Sequence, residues 1–253
     1  MRPALSARLW NVAWAPPGSP RGQFFQQHLV QPTTDVVCVT EGFADLLPAH
    51  GDVIEADADY GYPLHAGRRK VLLWSRTSWH EVDAVGDPSL PGGRFVAGTT
   101  STTVGEVRCV GVCVPWRDAH VRTGRRDRTP WADHVLYLEH LRTVLDRRRD
   151  MPTVVLGDFN QRVPRARQPA PVFDALTTAL TGFTFATAGP ITGTAELSID
   201  HVATTRELAA RTVRHLPSRT DEGRQMSDHF GLEVTLGHVD TPRSADHDGV
   251  LAP

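Results

Sequence analysis

The chain has 253 residues, 40% of them hydrophobic, which is enough for a sizeable core in one large domain or two small ones. Its formal net charge of −2 excludes a global attraction to nucleic acid or to an anionic membrane. Any attraction to a polyanion therefore has to be local.

Cysteine usage indicates a reducing compartment. Cys38, Cys109 and Cys113 all lie in apolar segments, and their odd number and their spacing fit neither a disulfide framework nor a zinc site. The first residues lack the apolar region of a signal peptide, and no apolar run reaches the length of a membrane span. We therefore expect a soluble, cytoplasmic protein.

In the first half of the chain, apolar runs separated by Gly and Pro clusters predict strands, and one segment has helical spacing. The helix is predicted over residues 22–31. The strands are predicted over residues 5–14, 35–40, 70–75, 81–85, 94–101 and 105–114.

The second half contains the strongest helical pattern. Over residues 131–149 the apolar stripe comprises Val135, Leu138, Leu141, Val144 and Leu145. A buried strand is predicted over residues 153–156 and a shorter helix over 172–181. Further strands are predicted over 183–187, 197–203, 211–216 and 230–236.

Many strands, few helices and no linker between the halves favour one domain over residues 1–238. We expect an α/β fold, a four-layered α/β/β/α sandwich of two packed mixed β-sheets with outer helices. Residues 239–253 are polar and poor in large apolar groups, which predicts a disordered C-terminal tail.

Polar residues recur at the ends of the predicted strands, where α/β proteins place ligands. They are Asn11, Glu41, Asp158, Asn160, Asp200, Asp228 and His229. Each one alone is explained better as a turn residue that caps a loop. Together they predict a site, and because neighbouring carboxylates repel each other unless a cation neutralises them, oxygen ligands of this kind suit Mg²⁺ or Mn²⁺ rather than zinc.

The order of these motifs resembles the endonuclease/exonuclease/phosphatase superfamily, which includes deoxyribonuclease I and exonuclease III-type enzymes. Gly-Asp-Phe-Asn at residues 157–160 and Ser-Asp-His at 227–229 match its motifs. The segments 10–12, 35–41 and 198–202 resemble its first-strand asparagine, its metal-binding glutamate segment and its Ile-Asp-His strand. The resemblance extends from about residue 5 to residue 236.

The resemblance implies a metal site and a catalytic set. Glu41 would bind Mg²⁺ or Mn²⁺, with Asn11 and Asp228 nearby. Asp158 would orient or deprotonate the attacking water. The remaining catalytic residues would be Asn160, which holds a phosphate oxygen, His229, which contacts the scissile phosphate, and Asp200, which holds the His229 ring.

One position departs from the family pattern. Cys113 stands where many members have a Tyr or His that contacts phosphate. Arg117 and His120 are the nearest candidates to replace it, although an exposed loop histidine explains His120 about equally well. Trp116 is a candidate for stacking on a base. The arginines of the loop 117–128 and of the segment 162–167 suit a polyanion, although solvated arginines paired with Asp118 and Asp127 explain them about equally well.

These features predict a Mg²⁺-dependent phosphodiester hydrolase, a nuclease that attacks DNA or RNA by metal-assisted addition of water. The alternative is a phosphatase or phosphodiesterase on a small-molecule or lipid phosphate, such as an inositol phosphate, or a sphingomyelinase-like activity. A catalytically inactive binding module is disfavoured because every core position of the motif set is filled. The sequence implies no protein partner.

Overall fold

Two six-stranded β-sheets packed face to face form the centre of the molecule, in a computed structural model that describes residues 3–239. The first sheet has the strand order β11-β12-β1-β2-β4-β3 and the second β5-β6-β7-β8-β10-β9. Both sheets are mixed: β1 is parallel to β2 and β7 to β8, and the other strand pairs are antiparallel.

The strands of the first sheet are β1 (Leu5–Asn11), β2 (Val36–Phe43), β3 (Asp52–Glu55), β4 (Arg68–Ser75), β11 (Leu208–Leu216) and β12 (Gly231–His238). Those of the second are β5 (Trp79–Asp83), β6 (Phe95–Thr102), β7 (Gly105–Cys113), β8 (Thr153–Asp158), β9 (Phe183–Phe185) and β10 (Asp200–Thr205).

Strand alternation divides the apolar residues between two layers of core. In β2, Val36 and Cys38 face the core between the sheets, whereas Val37 and Val39 face the outer helix α1. In β8, Val154 contributes to the core between the sheets and Val155 to the core beneath α2 and α3. Continuous apolar runs such as residues 36–39 are thus strands buried on both faces.

Three α-helices cover the outer faces of the sheets among the described residues: α1 (Pro20–Leu29) on the first, and α2 (Ala132–Asp146) and α3 (Ala170–Ala179) on the second. The side chain of Ser19 caps α1 by accepting a hydrogen bond from the Gly22 amide. The predicted stripe of α2 is buried except for Val135. The four-layered α/β/β/α architecture predicted from the sequence is confirmed.

Several predicted boundaries differ from the structure. The first strand ends at Asn11 instead of residue 14 because Ala13 and Trp14 adopt positive φ angles of 46° and 58°. The strand predicted over 81–85 occupies Trp79–Asp83. The short edge strand Asp52–Glu55 was missed because four residues give little periodicity.

Residues 240–253 of the predicted tail lie outside the described residues. None of the helices within residues 3–239 has the length and apolarity of a membrane span.

The topology brings six strand ends to one edge of the sandwich. In the first sheet, β1 and β2 end there and β12 begins there. In the second, β7 and β8 end there and β10 begins there. The polar residues that the sequence places at these ends therefore meet across the two sheets.

Candidate active site

Asp158 is the last residue of β8 and lies at the centre of this edge, where it is buried. It pairs in register with Cys113 of β7 and with Asp200 of β10. Gly157 precedes it at φ 141°, and a Cβ there would lie 2.0 Å from the carbonyl oxygen of Val112. Glycine is therefore required for β8 to approach β7 closely enough to place Asp158.

Hydrogen bonds fix both oxygens of the Asp158 carboxylate. The Asn11 side-chain amide donates to Oδ2 at 3.1 Å, and the Asn160 backbone amide donates to Oδ1 at 2.9 Å. Burial, followed by the nearby charge of Asp200, raises the pKa of Asp158 to about 7, although His229 partly opposes the shift. The group can thus exchange a proton near neutral pH.

His229 and Asp200 form an ion pair across the two sheets. Nδ1 of His229 lies 2.6 Å from Oδ2 of Asp200, and both side chains are nearly buried. Burial alone would lower the pKa of His229, but the Asp200 carboxylate outweighs it and raises the pKa to about 10. The imidazole is therefore a cation held in one orientation, and its Nε2 has no hydrogen bond to another described residue.

Hydrogen bonds within the first sheet connect the Ser-Asp-His segment to the end of β1. The Ser227 hydroxyl donates to the backbone oxygen of Asn11 at 2.7 Å and accepts from the His229 amide at 3.1 Å. The Trp10 indole donates to the backbone oxygen of His229 at 3.0 Å. The backbone of residues 227–229 is thus positioned by the end of β1.

Glu41 forms an ion pair with the single lysine of the chain. Lys70 Nζ lies 2.5 Å from Oε1 of Glu41. Glu41 has a φ of 53°, and strained backbone of this kind in a non-glycine residue is concentrated at functional sites. The charge of Glu41 contributes to the raised pKa of Asp158, so the two carboxylates belong to one electrostatic cluster.

Asn160 lies just beyond Asp158 and also adopts a positive φ, of 52°. Its side-chain amide donates one hydrogen bond, of 2.9 Å, to the backbone oxygen of Val114. This bond orients the side chain toward the ends of β7 and β8, and the amide nitrogen keeps a second N–H for another acceptor.

The donor set fits a divalent cation. The charges of Glu41 and Asp200 act on Asp158, and the charge of Asp228 acts on His229. Lys70 and His229 carry the positive charges paired with Glu41 and Asp200. Oδ1 of Asp200 is buried without a hydrogen-bond partner among the described residues. The excess negative charge and the unpartnered oxygen match a doubly charged ion bound by oxygen ligands.

Two sets of residues are candidates for holding that ion. Ligand atoms of Asp158, Asp200 and His229 lie within 4.8 Å of one another. Yet His229 is protonated and bound to Asp200, so it has no free lone pair at Nδ1. The candidate ligands are therefore the carboxylates of Asp158 and Asp200 in this set, and Glu41 with Asn11 and Asp228 in the other.

The three predicted substrate-binding residues have different environments. Trp116 is 46% exposed, and Arg117 is exposed beside Asp118 at 3.7 Å. His120, in contrast, is buried: its ring stacks on Tyr62 with centroids 4.4 Å apart, and its Nδ1 accepts a hydrogen bond from the Arg125 amide. His120 organises the loop in this structure.

Beyond Arg117, the four other arginines of the loop 117–128 divide into two groups. Arg125 and Arg128 are bound to the buried carboxylate of Asp133, at 3.3 Å and 2.5 Å respectively. Arg122 and Arg126 are exposed to solvent. Part of the apparent polyanion patch is thus a structural charge network, and the remainder is available for a ligand.

Two cations next to the site, Lys70 and Arg94, are not indicated by any local sequence pattern. Lys70 lies in β4, and its ion pair with Glu41 depends on the pairing of β2 with β4. Arg94 is 3% exposed, and its guanidinium approaches the backbone oxygen of Cys113 at 3.4 Å. Arg94 therefore stands at the position where a phosphate donor was expected, while burial raises the pKa of the Cys113 thiol to about 12 and keeps it un-ionised.

Comparisons with known proteins agree with this architecture. The family model described as Endonuclease/Exonuclease/phosphatase family matches residues 9–229. A search of curated protein sequences finds no match to this chain.

Solved structures with the same fold are distant in sequence. The 3′ phosphatase NExo (D146N) from Neisseria, bound to product DNA hairpin, is 18% identical, with 91% of this chain and 98% of that chain covered and a TM-score of 0.64. TDP2 from D. rerio, complexed with single strand DNA product, is 14% identical, with 92% and 99% covered and a TM-score of 0.63. The endonuclease/exonuclease/phosphatase from Beutenbergia cavernae DSM 12333 is 19% identical, with 96% and 74% covered and a TM-score of 0.60.

The family model covers most of the chain, and its match extends from β1 to His229. This chain therefore belongs to the endonuclease/exonuclease/phosphatase family and is a phosphoester hydrolase.

Proposed function

We propose that the chain is a Mg²⁺- or Mn²⁺-dependent phosphodiesterase that cleaves nucleic acid, with its catalytic residues in a single domain over residues 1–238. The proposal depends above all on the convergence of Asp158, Asn160, Asp200 and His229 with Asn11 at one edge of the sandwich. Phosphoryl transfer to water requires a positioned water and neutralised charge more than a protein nucleophile. This arrangement offers both.

Asp158 is the proposed base. Because its pKa lies at about 7, its carboxylate can take a proton from water at the operating pH without being too weak a base. The hydrogen bonds from Asn11 and Asn160 hold the carboxylate in one orientation. Asp158 therefore positions the water for attack on phosphorus as well as accepting its proton.

His229 and Asn160 are proposed to hold the phosphate. His229 presents Nε2–H as a cationic donor whose orientation Asp200 maintains through Nδ1. Asn160 has one side-chain N–H remaining after its bond to Val114. Both groups stabilise the negative charge on the phosphate oxygens as the bond to water forms.

Glu41, with Asn11 and Asp228, is proposed to hold the metal ion. When bound, Mg²⁺ or Mn²⁺ neutralises phosphate charge and polarises the phosphorus–oxygen bonds. Lys70 keeps Glu41 in place by binding one of its two oxygens.

Several observations support nucleic acid as the substrate. Arg122, Arg126 and Trp116 are exposed on the loop that follows β7, and Trp116 lines the same cavity as Lys70. The Neisseria and D. rerio proteins were solved with DNA products bound to them. We further propose a cytoplasmic location, which the three free and buried cysteines support.

The test is a substrate panel with and without chelator. It comprises bis(p-nitrophenyl) phosphate, single-stranded DNA, plasmid, abasic duplex, RNA, inositol phosphates and sphingomyelin. We expect hydrolysis of phosphodiesters that requires Mg²⁺ or Mn²⁺, prefers nucleic acid and falls by about 100-fold or more in Asp158→Ala. Full activity after exhaustive chelation would refute the metal-dependent mechanism, and exclusive turnover of inositol phosphates or sphingomyelin would refute the nuclease.

A further inference from the structure

A cavity of about 370 Å³ adjoins the candidate active site on the side of Lys70. We call it the aromatic pocket and define it by three rings, Trp14, Tyr60 and Trp116, and three cations, Arg68, Lys70 and Arg94. None of the mechanistic roles proposed above uses its rings or Arg94.

The rings of Trp14, Tyr60 and Tyr62 form a row, which together with Trp116 makes up the aromatic surface of the pocket. Trp14 and Tyr60 stack with centroids 5.7 Å apart and planes inclined by 22°. Tyr62 extends the row, with its centroid 5.9 Å from that of Tyr60. Trp116, nearly half exposed, adds a large ring that solvent can reach. Because Tyr60 is only 6% exposed and stacks on Trp14, Trp116 is the ring most open to a planar ligand.

The cations give the same pocket a positive charge. The Arg68 guanidinium lies 5.0 Å from the Trp14 ring centroid, and Lys70 Nζ lies 5.1 Å from that of Trp14 and 5.4 Å from that of Tyr60. Arg94 is almost wholly buried, with contacts of 3.4 Å and 4.0 Å to the oxygen and Sγ of Cys113 and no carboxylate partner within residues 3–239. An anionic ligand would stabilise the charge of a guanidinium buried in that environment.

Two direct links connect the pocket to the proposed catalytic residues. Lys70 binds Glu41, and the backbone amide of Trp14 donates to the backbone oxygen of Glu41 at 2.7 Å. On the other side, Arg94 contacts Cys113, which pairs in register with Asp158. A group in the pocket is therefore adjacent to the phosphate that the proposed site would hold.

We propose that the aromatic pocket binds one unpaired nucleotide next to the scissile phosphate, with its base against the aromatic surface and its phosphate near Arg94. This inference rests on the proposed function and names the substrate class as single-stranded nucleic acid or an unpaired end. The volume suits one nucleotide, and the pairing of flat rings with cations is the chemistry that recognises a base and its phosphate. A base paired inside a duplex cannot expose its face to these rings.

The test measures binding separately from hydrolysis. In an Asp158→Ala background with Mg²⁺, fluorescence anisotropy gives the affinity for three labelled probes: an eight-nucleotide single strand, the same strand with every base removed, and the corresponding duplex. Trp116→Ala is the main variant because Trp116 is partly exposed, and Leu64→Ala is the control because Leu64 is 66% exposed in the same region and does not line the pocket.

We expect Trp116→Ala to weaken binding of the single strand by on the order of tenfold. The affinity for the base-free strand should stay unchanged, and should equal that of the Leu64→Ala control. Arg68→Gln should weaken the binding of both strands, because it removes charge near the phosphates. Equal losses for base-bearing and base-free strands in Trp116→Ala, or duplex binding as tight as that of the single strand, would overturn the proposal.

Failure of the pocket and failure of the proposed function give different results. The base-dependent contrast is the difference between the losses that Trp116→Ala causes for the base-bearing and base-free strands. If wild-type protein hydrolyses bis(p-nitrophenyl) phosphate with Mg²⁺ but this contrast is missing, the pocket assignment is wrong and the proposed chemistry stands. If the contrast is present but no phosphodiester is hydrolysed, the pocket stands and the proposed function is wrong.

Discussion

At the scale of single residues, the candidate site is a balance of charges that burial makes strong. Asp200 keeps His229 protonated, and the same negative charge raises the pKa of Asp158. One carboxylate thus shifts its two neighbours differently: His229 is a fixed cation, and Asp158 titrates near neutral pH. The environments of titratable groups separate acid and base functions in this way in other hydrolases.

Asp200→Asn tests whether this carboxylate acts through His229. The amide keeps the shape of the side chain but removes the charge that stabilises the imidazolium, so we expect kcat to fall by about 100-fold or more with a smaller change in KM. Steady-state kinetics on a phosphodiester, with melting temperature as a check on folding, provides the measurement. Asp174→Asn, on the exposed face of α3, is the matched control and should leave kcat unchanged. Wild-type turnover in Asp200→Asn would contradict the role.

At the scale of secondary-structure elements, the polar residues at the strand ends could be predicted from the sequence. The residues that contact them from neighbouring strands could not. Apolar runs followed by Asp158 or preceded by His229 are local patterns, and the structure places both at the shared edge. Arg94 reaches Cys113 because β6 pairs with β7 in a register that opposes Phe95 to Val112. Strand register is a tertiary property, so no local pattern indicated this contact.

The loop after β1 shows the same limit. Trp14 was predicted as part of a strand, but positive φ angles at Ala13 and Trp14 turn its side chain toward Tyr60. Neither residue type favours that conformation, and hydrogen bonds to Val12 and Glu41 maintain it. The sequence therefore does not predict the aromatic pocket, because the turn that brings Trp14 to Tyr60 has no local sequence pattern.

Gly157→Ala tests the close approach of β7 and β8. A Cβ at this position would overlap the backbone oxygen of Val112, and the φ of 141° disfavours any side chain. We expect a loss of about 2 kcal/mol or more in the free energy of unfolding, measured by urea denaturation. Gly18→Ala is the control, because a Cβ there meets no atom within 4 Å, and its stability should remain near that of wild type. A Gly157→Ala variant as stable as wild type would show that β8 can shift without cost.

At the scale of the whole molecule, two buried histidines link stability to pH. Burial lowers the pKa of both His134 and His201 to about 4, against only partial compensation by hydrogen bonds. His134 lies between the Pro115 oxygen and the Gln161 amide, at 2.7 Å from each. His201 lies between the Gln161 oxygen and the Thr187 hydroxyl. Both rings are thus held neutral in the fold.

Stability should therefore fall as the pH is lowered from about 6.5 to about 4. In this range the unfolded chain binds protons at these histidines and the folded chain does not, which costs up to about 3 kcal/mol for each ring. Urea denaturation across this pH range measures the slope. His134→Gln should reduce the slope by about one proton relative to wild type, and His50→Gln, at an exposed position, is the control. An unchanged slope in His134→Gln would mean that this ring is protonated in the fold.

A chain with a net charge of −2 needs a local positive patch to attract a polyanion. Because Arg125 and Arg128 are bound to Asp133, the exposed Arg122 and Arg126 are the loop arginines that we expect to contact phosphates of a bound strand. Each such contact releases counterions and adds roughly 0.7 to the salt dependence of log K for a single strand. The double variant Arg122→Ala/Arg126→Ala in an Asp158→Ala background should therefore lower that slope by about 1 to 1.5.

The matched control removes the same charge from the opposite edge of the sandwich, in Arg149→Ala/Arg206→Ala. Arg149 precedes the start of β8 and Arg206 follows the end of β10, so both lie away from the site edge. Affinity for a short single strand at several salt concentrations distinguishes attraction by a local patch from attraction that depends on total charge. If the two double variants change the slope equally, the attraction depends on total charge and the loop 117–128 has no specific role. If only the loop variant lowers it, a local patch overcomes the net charge of the molecule, as the proposed nuclease activity requires.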